Sequence, residues 1–136
     1  MKQLLVLAFL LITLGLSACQ ETCYEQTTEY RTEVESVVDD WQDAVTIANS
    51  TSRISLSTPV SRLQEIQNDT EDMEVPECAQ TAHGLLVQHM DDVIKAFILF
   101  MGDADDEAGV TAQFNIANTR LEAFLGEFEK LKDPEN

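Results

Sequence analysis

The chain is 136 residues long, carries 25 acidic and 8 basic side chains, and has a formal charge of −17. That length fits one domain of ordinary size, and a hydrophobic content of 44% is too high for a disordered acidic tail. Five glycines and three prolines are too few turn formers for an all-β sandwich, and eight scattered basic residues cannot supply the Lys/Arg surface that nucleic acid demands.

In chain order, Lys2 gives a short positive start, Leu4 to Leu16 is an apolar run of 13 residues, and Ser17, Ala18 and Cys19 are small. Together these read as an export signal. The run is shorter than the roughly 20 apolar residues a membrane span needs, and Gln20 and Glu21 follow at once, so cleavage is expected rather than insertion. Leu16, Ser17, Ala18 and Cys19 resemble, at all four positions, the lipobox of bacterial lipoproteins. The likeness covers residues 1–19. It implies a diacylglycerol on the sulfur of Cys19, removal of the signal peptide 1–18, and acylation of the new amino terminus, palmitate being the implied acyl group. Two or three chains, at about 0.8 kcal/mol per buried methylene, hold a protein at a membrane where one would not. Gln20 stands where the family's inner-membrane retention signal would have aspartate, which permits transfer to an outer membrane. The expected location is therefore the cell envelope, on the extracytoplasmic side of a bacterial membrane.

With Cys19 assigned to lipid, Cys23 and Cys78 remain as an even pair in an oxidising compartment, and a disulfide is expected. The rival readings are a redox pair or a thiolate metal site. They lack a Cys-x-x-Cys arrangement and a histidine three or four residues from either cysteine.

The body, residues 19–136, loses only Lys2 among the charged residues and is therefore one unit more acidic than the precursor. Cys23, Thr27, Tyr30, Val34, Val37, Trp41, Ala44 and Ala48 alternate steps of four and three, which predicts a first helix fraying in the polar residues from Asn49 to Ser52. Ser50 to Ser57 is expected to be extended. Thr58 and Pro59 predict the start of a second helix, with Thr58 as cap and Val60, Leu63, Ile66 and Met73 as its stripe, ending before Pro76. A third helix to about Met101 has Ala79, Ala82, Leu86, Met90, Val93, Phe97 and Phe100 as its stripe. Leu85, Val87, Ile94, Ile98 and Leu99 widen that stripe, so this helix should be the most buried element. After the acidic turn from Asp103 to Gly109, Val110, Phe114, Ala117, Leu121, Phe124, Phe128 and Leu131 predict a fourth helix. The expected fold is all-α, an up-down-up-down four-helix bundle following the signal peptide, with Cys23 and Cys78 at the same end.

Few side chains suggest chemistry. Asp103, Asp105 and Glu107 match the first, third and fifth positions of a calcium loop, but Ala108 stands where glycine is required and Phe114 where a closing glutamate is required. His83 and His89 lie about 240° apart around a helix and cannot chelate one metal together. Cys78 begins no haem-attachment motif, and no serine elbow, phosphate loop or His-Glu-x-x-His occurs in the body. No catalytic residue, metal ligand or cofactor is therefore assigned. Trp41, Phe97, Phe100, Phe114, Phe124 and Phe128 read first as core and second as the lining of a small-molecule pocket.

The segment Val75, Pro76, Glu77, Cys78, leading into Met90, Phe97 and the Phe100-Met101 pair, resembles small uncharacterised helical lipoproteins of bacteria and implies no activity. The expectation is a non-enzymatic, membrane-tethered interaction module whose acidic faces suit a basic protein partner and not nucleic acid. Its alternative is a helical-bundle binding protein for a small apolar ligand or a cation.

Overall fold

The computed structural model describes residues 22–102, 106–133 and 135, and among these it is all helix and connection, with no strand. The lipobox and Cys19 lie outside the described residues. Among the described residues there are five α-helices: α1 (Cys23–Gln26), α2 (Thr28–Ser50), α3 (Ser57–Glu71), α4 (Gln80–Gly102) and α5 (Glu107–Lys130). No helix among the described residues is long and apolar enough to cross a membrane.

The helix expected from Cys23 to Ala48 is interrupted at Thr27. Thr22 and Glu25 form a reciprocal capping box on α1, and the Thr27 hydroxyl then donates to the Cys23 carbonyl at 2.8 Å. A buried threonine bonded back to the preceding turn offers the backbone an alternative partner, and here the break falls on that residue. Beyond it the predicted stripe is the buried face of α2, formed by Tyr30, Val34, Trp41, Ala44 and Ala48.

The next connection is not extended. Arg53–Ser55 forms a 3-10 turn that swings Leu56 into the core and leaves Ile54 95% exposed, while Arg53 Nε donates to the Met101 carbonyl at 3.2 Å. Thr58 is not the cap of α3. The helix begins at Ser57, with Leu56 in the cap position and no side-chain cap bond. Pro59 is therefore the third residue of the helix, still inside the first turn, where the amide it lacks would have had no intrahelical acceptor. Val60, Leu63, Ile66 and Thr70 are the buried side chains of α3.

Pro76 precedes a second 3-10 turn, Glu77–Ala79, which leads directly into α4. As the wide stripe predicts, α4 buries more side chains than any other helix. The stripe nevertheless ends early, because Ile98, Leu99 and Phe100 are 48%, 41% and 37% exposed. Helix α5 starts three residues before Val110, because the Asp106 carboxylate caps it by accepting from the Gly109 amide at 2.9 Å.

Contacts between helices fix their directions. Cys23 and Cys78 are joined by a disulfide with Cα atoms 6.1 Å apart, and Tyr30 meets His83 just as Trp41 meets His89 further on, so α2 and α4 run the same way from the disulfide end. Helices α4 and α5 run oppositely, since Gln88 pairs with Arg120 whereas Phe97 stacks edge-on against Phe114. They form the most extensive helix pair, and α3 packs between α2 and α4. All buried hydrophobic residues of the core cluster lie between Tyr30 and Leu131.

Candidate functional site

A concavity follows from how α2 meets α5. Near the disulfide end the two are tied, with Arg31 Nη1 donating to the Leu131 carbonyl at 2.8 Å and Lys132 lying 3.6 Å from Glu35. Further along α2 a cleft of about 410 Å³ opens between α2, α4 and α5. Residues three and four apart share a helix face. Thus α2 supplies Val38, Trp41 and Val45 as an apolar wall with Gln42, Thr46 and Asn49 beside it, α4 supplies Leu86, His89 and Val93, and α5 supplies Phe114, Asn118 and Leu121. None of these side chains is an Asp, Glu, Lys or Arg, although 24% of the chain is charged.

His89 is the most informative of them. It is 6% exposed, and its Nδ1 lies 2.8 Å from the Ala117 carbonyl of α5. A carbonyl only accepts, so the proton of this bond is on Nδ1 and the neutral ring keeps Nε2 as an acceptor. Burial pushes the His89 pKa below the usual imidazole value, against the opposing effects of the Ala117 hydrogen bond and Asp92. The Trp41 ring stands edge-on to it, with centroids 6.2 Å apart. Behind the ring, buried Asp92 accepts from Arg120 Nε at 2.6 Å and Gln113 Nε2 at 3.0 Å, fixing α4 against α5.

His83 is a separate residue, hydrogen-bonded through Nδ1 to the Tyr30 hydroxyl at 3.2 Å. Burial lowers its pKa against the opposing charge of Glu71, and burial with Glu33 raises that of Tyr30. Glu29, Glu33 and Glu74 line a second, more polar hollow beside Tyr30. Among the described residues no group of three or more His, Cys, Asp or Glu is placed to hold a metal. Asp103 and Asp105 of the calcium-loop reading lie outside the described residues, and Asp106 is engaged as the cap of α5.

Of the six aromatics expected either in the core or around a pocket, Trp41 and Phe114 line the cleft. Phe97 packs behind Phe114, Phe124 and Phe128 stack in the core, and Phe100 is at the surface. Spacing alone missed His89 as a wall of the cleft, because its bond to Ala117 joins positions 28 apart in sequence.

No known protein family, curated protein or solved structure matches the chain.

Proposed function

We propose that the protein is a bacterial lipoprotein, anchored through Cys19 on the extracytoplasmic side of a membrane, that works by binding and not by catalysis. In this reading α2 to α5 form an up-down-up-down four-helix bundle, splayed between α2 and α5, and the splay is the binding site for a small apolar ligand. The observation that carries it is the uncharged, mostly apolar cleft of about 410 Å³ in an otherwise acidic chain. Its volume falls within the ~300–1,000 Å³ typical of small-molecule sites, and an apolar wall with a few polar groups is their usual lining. The lipobox supports the anchor, and the disulfide at the first turn of the body supports an oxidising compartment.

A ligand that binds only the folded state must raise the melting temperature with its concentration. A panel of neutral apolar molecules should therefore include some that stabilise the protein in proportion to the logarithm of concentration, and a panel that leaves the melt untouched argues against the cleft as a site. Cys19→Ala should remain an uncleaved precursor or leave the membrane fraction. Wild-type behaviour would remove the anchor.

The second reading, an interaction module for a basic protein partner, is favoured by a different observation. The strongly acidic surface attracts cationic faces, and Ile98, Leu99 and Phe100 expose apolar area at the end of α4 opposite the disulfide. Cross-linking in native membranes separates the two, since that reading requires a protein adduct and the cleft reading does not.

A further inference from the structure

Two buried side chains that line the cleft each carry a polar atom that the protein itself does not use. Nδ1 of His89 is bonded to Ala117, and Nε2 has no partner among the described residues; nor does the indole N–H of Trp41. Both residues are more than nine-tenths buried and both line the cleft. Among the described residues no fully buried side-chain nitrogen or oxygen lacks a hydrogen-bond partner, so these two atoms keep access to space, and the cleft is the hollow that both residues line. The mainly apolar floor formed with Leu86 and Val93 thus carries an acceptor and a donor, while the other polar side chains of the lining are Gln42, Thr46, Asn49 and Asn118. Leaving either unmatched when water is displaced would cost about 1–3 kcal/mol, which makes the pair a selector of what enters.

Resting on the ligand-binding reading above, we propose that the cleft selects an uncharged, largely apolar molecule bearing a hydroxyl group, an alcohol or phenol, which donates a hydrogen bond to Nε2 of His89 and accepts one from the Trp41 indole. An anion is disfavoured by the acidic chain, and no carboxylate lines the cleft to hold a cation. A ketone or ether can accept from Trp41 but has no proton to offer His89. Of these three groups only the hydroxyl does both.

The test uses residues 19–136, which contain every core residue, and a pair of isomeric probes, 1-octanol and heptyl methyl ether. Trp41 is the only tryptophan in the chain, so its fluorescence reports occupancy of the cleft directly. Octanol should give a saturable change and bind about tenfold more tightly than the ether, the equivalent of one net hydrogen bond. In His89→Asn, where the amide can still donate to Ala117 but no acceptor takes the place of Nε2, octanol should fall to the level of the ether. Should that variant not fold, the ring nitrogens of His89 in the wild type give the same answer by 15N NMR: the Nε2 resonance should move upfield with octanol and stay in place with the ether. Equal affinity for the two isomers, a preference that survives His89→Asn, or an Nε2 signal indifferent to octanol overturns the proposal while leaving the cleft as a binding site. If neither probe binds, the ligand-binding reading falls with it.

Discussion

At the scale of single residues, the buried histidines make stability depend on pH. The pKa values of both His83 and His89 are lowered by burial, so in the folded state they stay neutral to a lower pH than in the unfolded chain, where imidazole takes up its proton near ~6.5. The unfolded state then binds more protons over that interval. The contribution is complete above about pH 6.5 and is lost as pH falls through the folded-state values. Melting temperatures measured between about pH 7.5 and 5.5 should decline on acidification, and His89→Asn should decline less; identical slopes would mean His89 does not titrate differently on folding. Asp92, the charge that acts on His89, and its ion-pair partner Arg120 remain in both proteins, so the difference isolates the imidazole. The Asp92 pair gives a second prediction. Its carboxylate side chain is 9% exposed, so Arg120→Ala strips a charge-assisted bond from a buried acceptor and should cost about 2 kcal/mol, read by denaturant unfolding. Lys95→Ala, at an exposed pair one turn apart with Asp91, should change little. None of this was legible from composition. In the sequence His89 is only a histidine that cannot share a metal with His83, until Ala117 and Trp41 are brought to it by packing.

At the scale of elements, periodicity placed the four long helices and most of their buried faces, because a 3.6-residue repeat of apolar side chains has few other stable uses. What it did not place were the boundaries, which depend on single hydrogen bonds. Thr27 breaks the first helix through its own hydroxyl, Asp106 starts α5 early, and Leu56, rather than Thr58, stands at the start of α3. The stripe of α4 was overextended for a related reason: Ile98, Leu99 and Phe100 continue the apolar pattern past the point where neighbouring helices cover it. The connection between α2 and α3 offers the sharpest test. Leu56 is 1% exposed and Ile54 is 95% exposed, two residues apart in one short turn. Leu56→Ala should cost about 3 kcal/mol by emptying a core position, whereas Ile54→Ala should cost less than about 0.5 kcal/mol. Similar losses at the two positions would mean that the turn does not hold Leu56 in the core.

At the scale of the whole molecule, one end of the fold carries the disulfide and the tie between α2 and the end of α5, and Cys23 at that end is four residues after Cys19 in sequence. In the proposed reading, that placement would put the closed end of the helices near the anchor and the cleft further out. The cysteine arithmetic made the pairing legible, since removing one of three residues to lipid leaves one possible bond. The cleft was not legible, because it arises from how far α2 stands from α5 and not from any local pattern. Closing a 55-residue loop raises the free energy of the unfolded chain by about 4 kcal/mol in the chain-entropy picture. The double change Cys23→Ser with Cys78→Ser should lower stability by roughly that amount, and Cys23→Ser alone should expose a titratable thiol at Cys78. A variant without that thiol would contradict the pairing. The most direct test of the central claim, an anchored protein with an occupied cleft, is the intact mass of the protein from native membranes, taken under native and denaturing conditions. The account predicts a lipid mass on Cys19 in both spectra and a small neutral molecule present only in the native one. An unlipidated chain with the same mass under both conditions would contradict it.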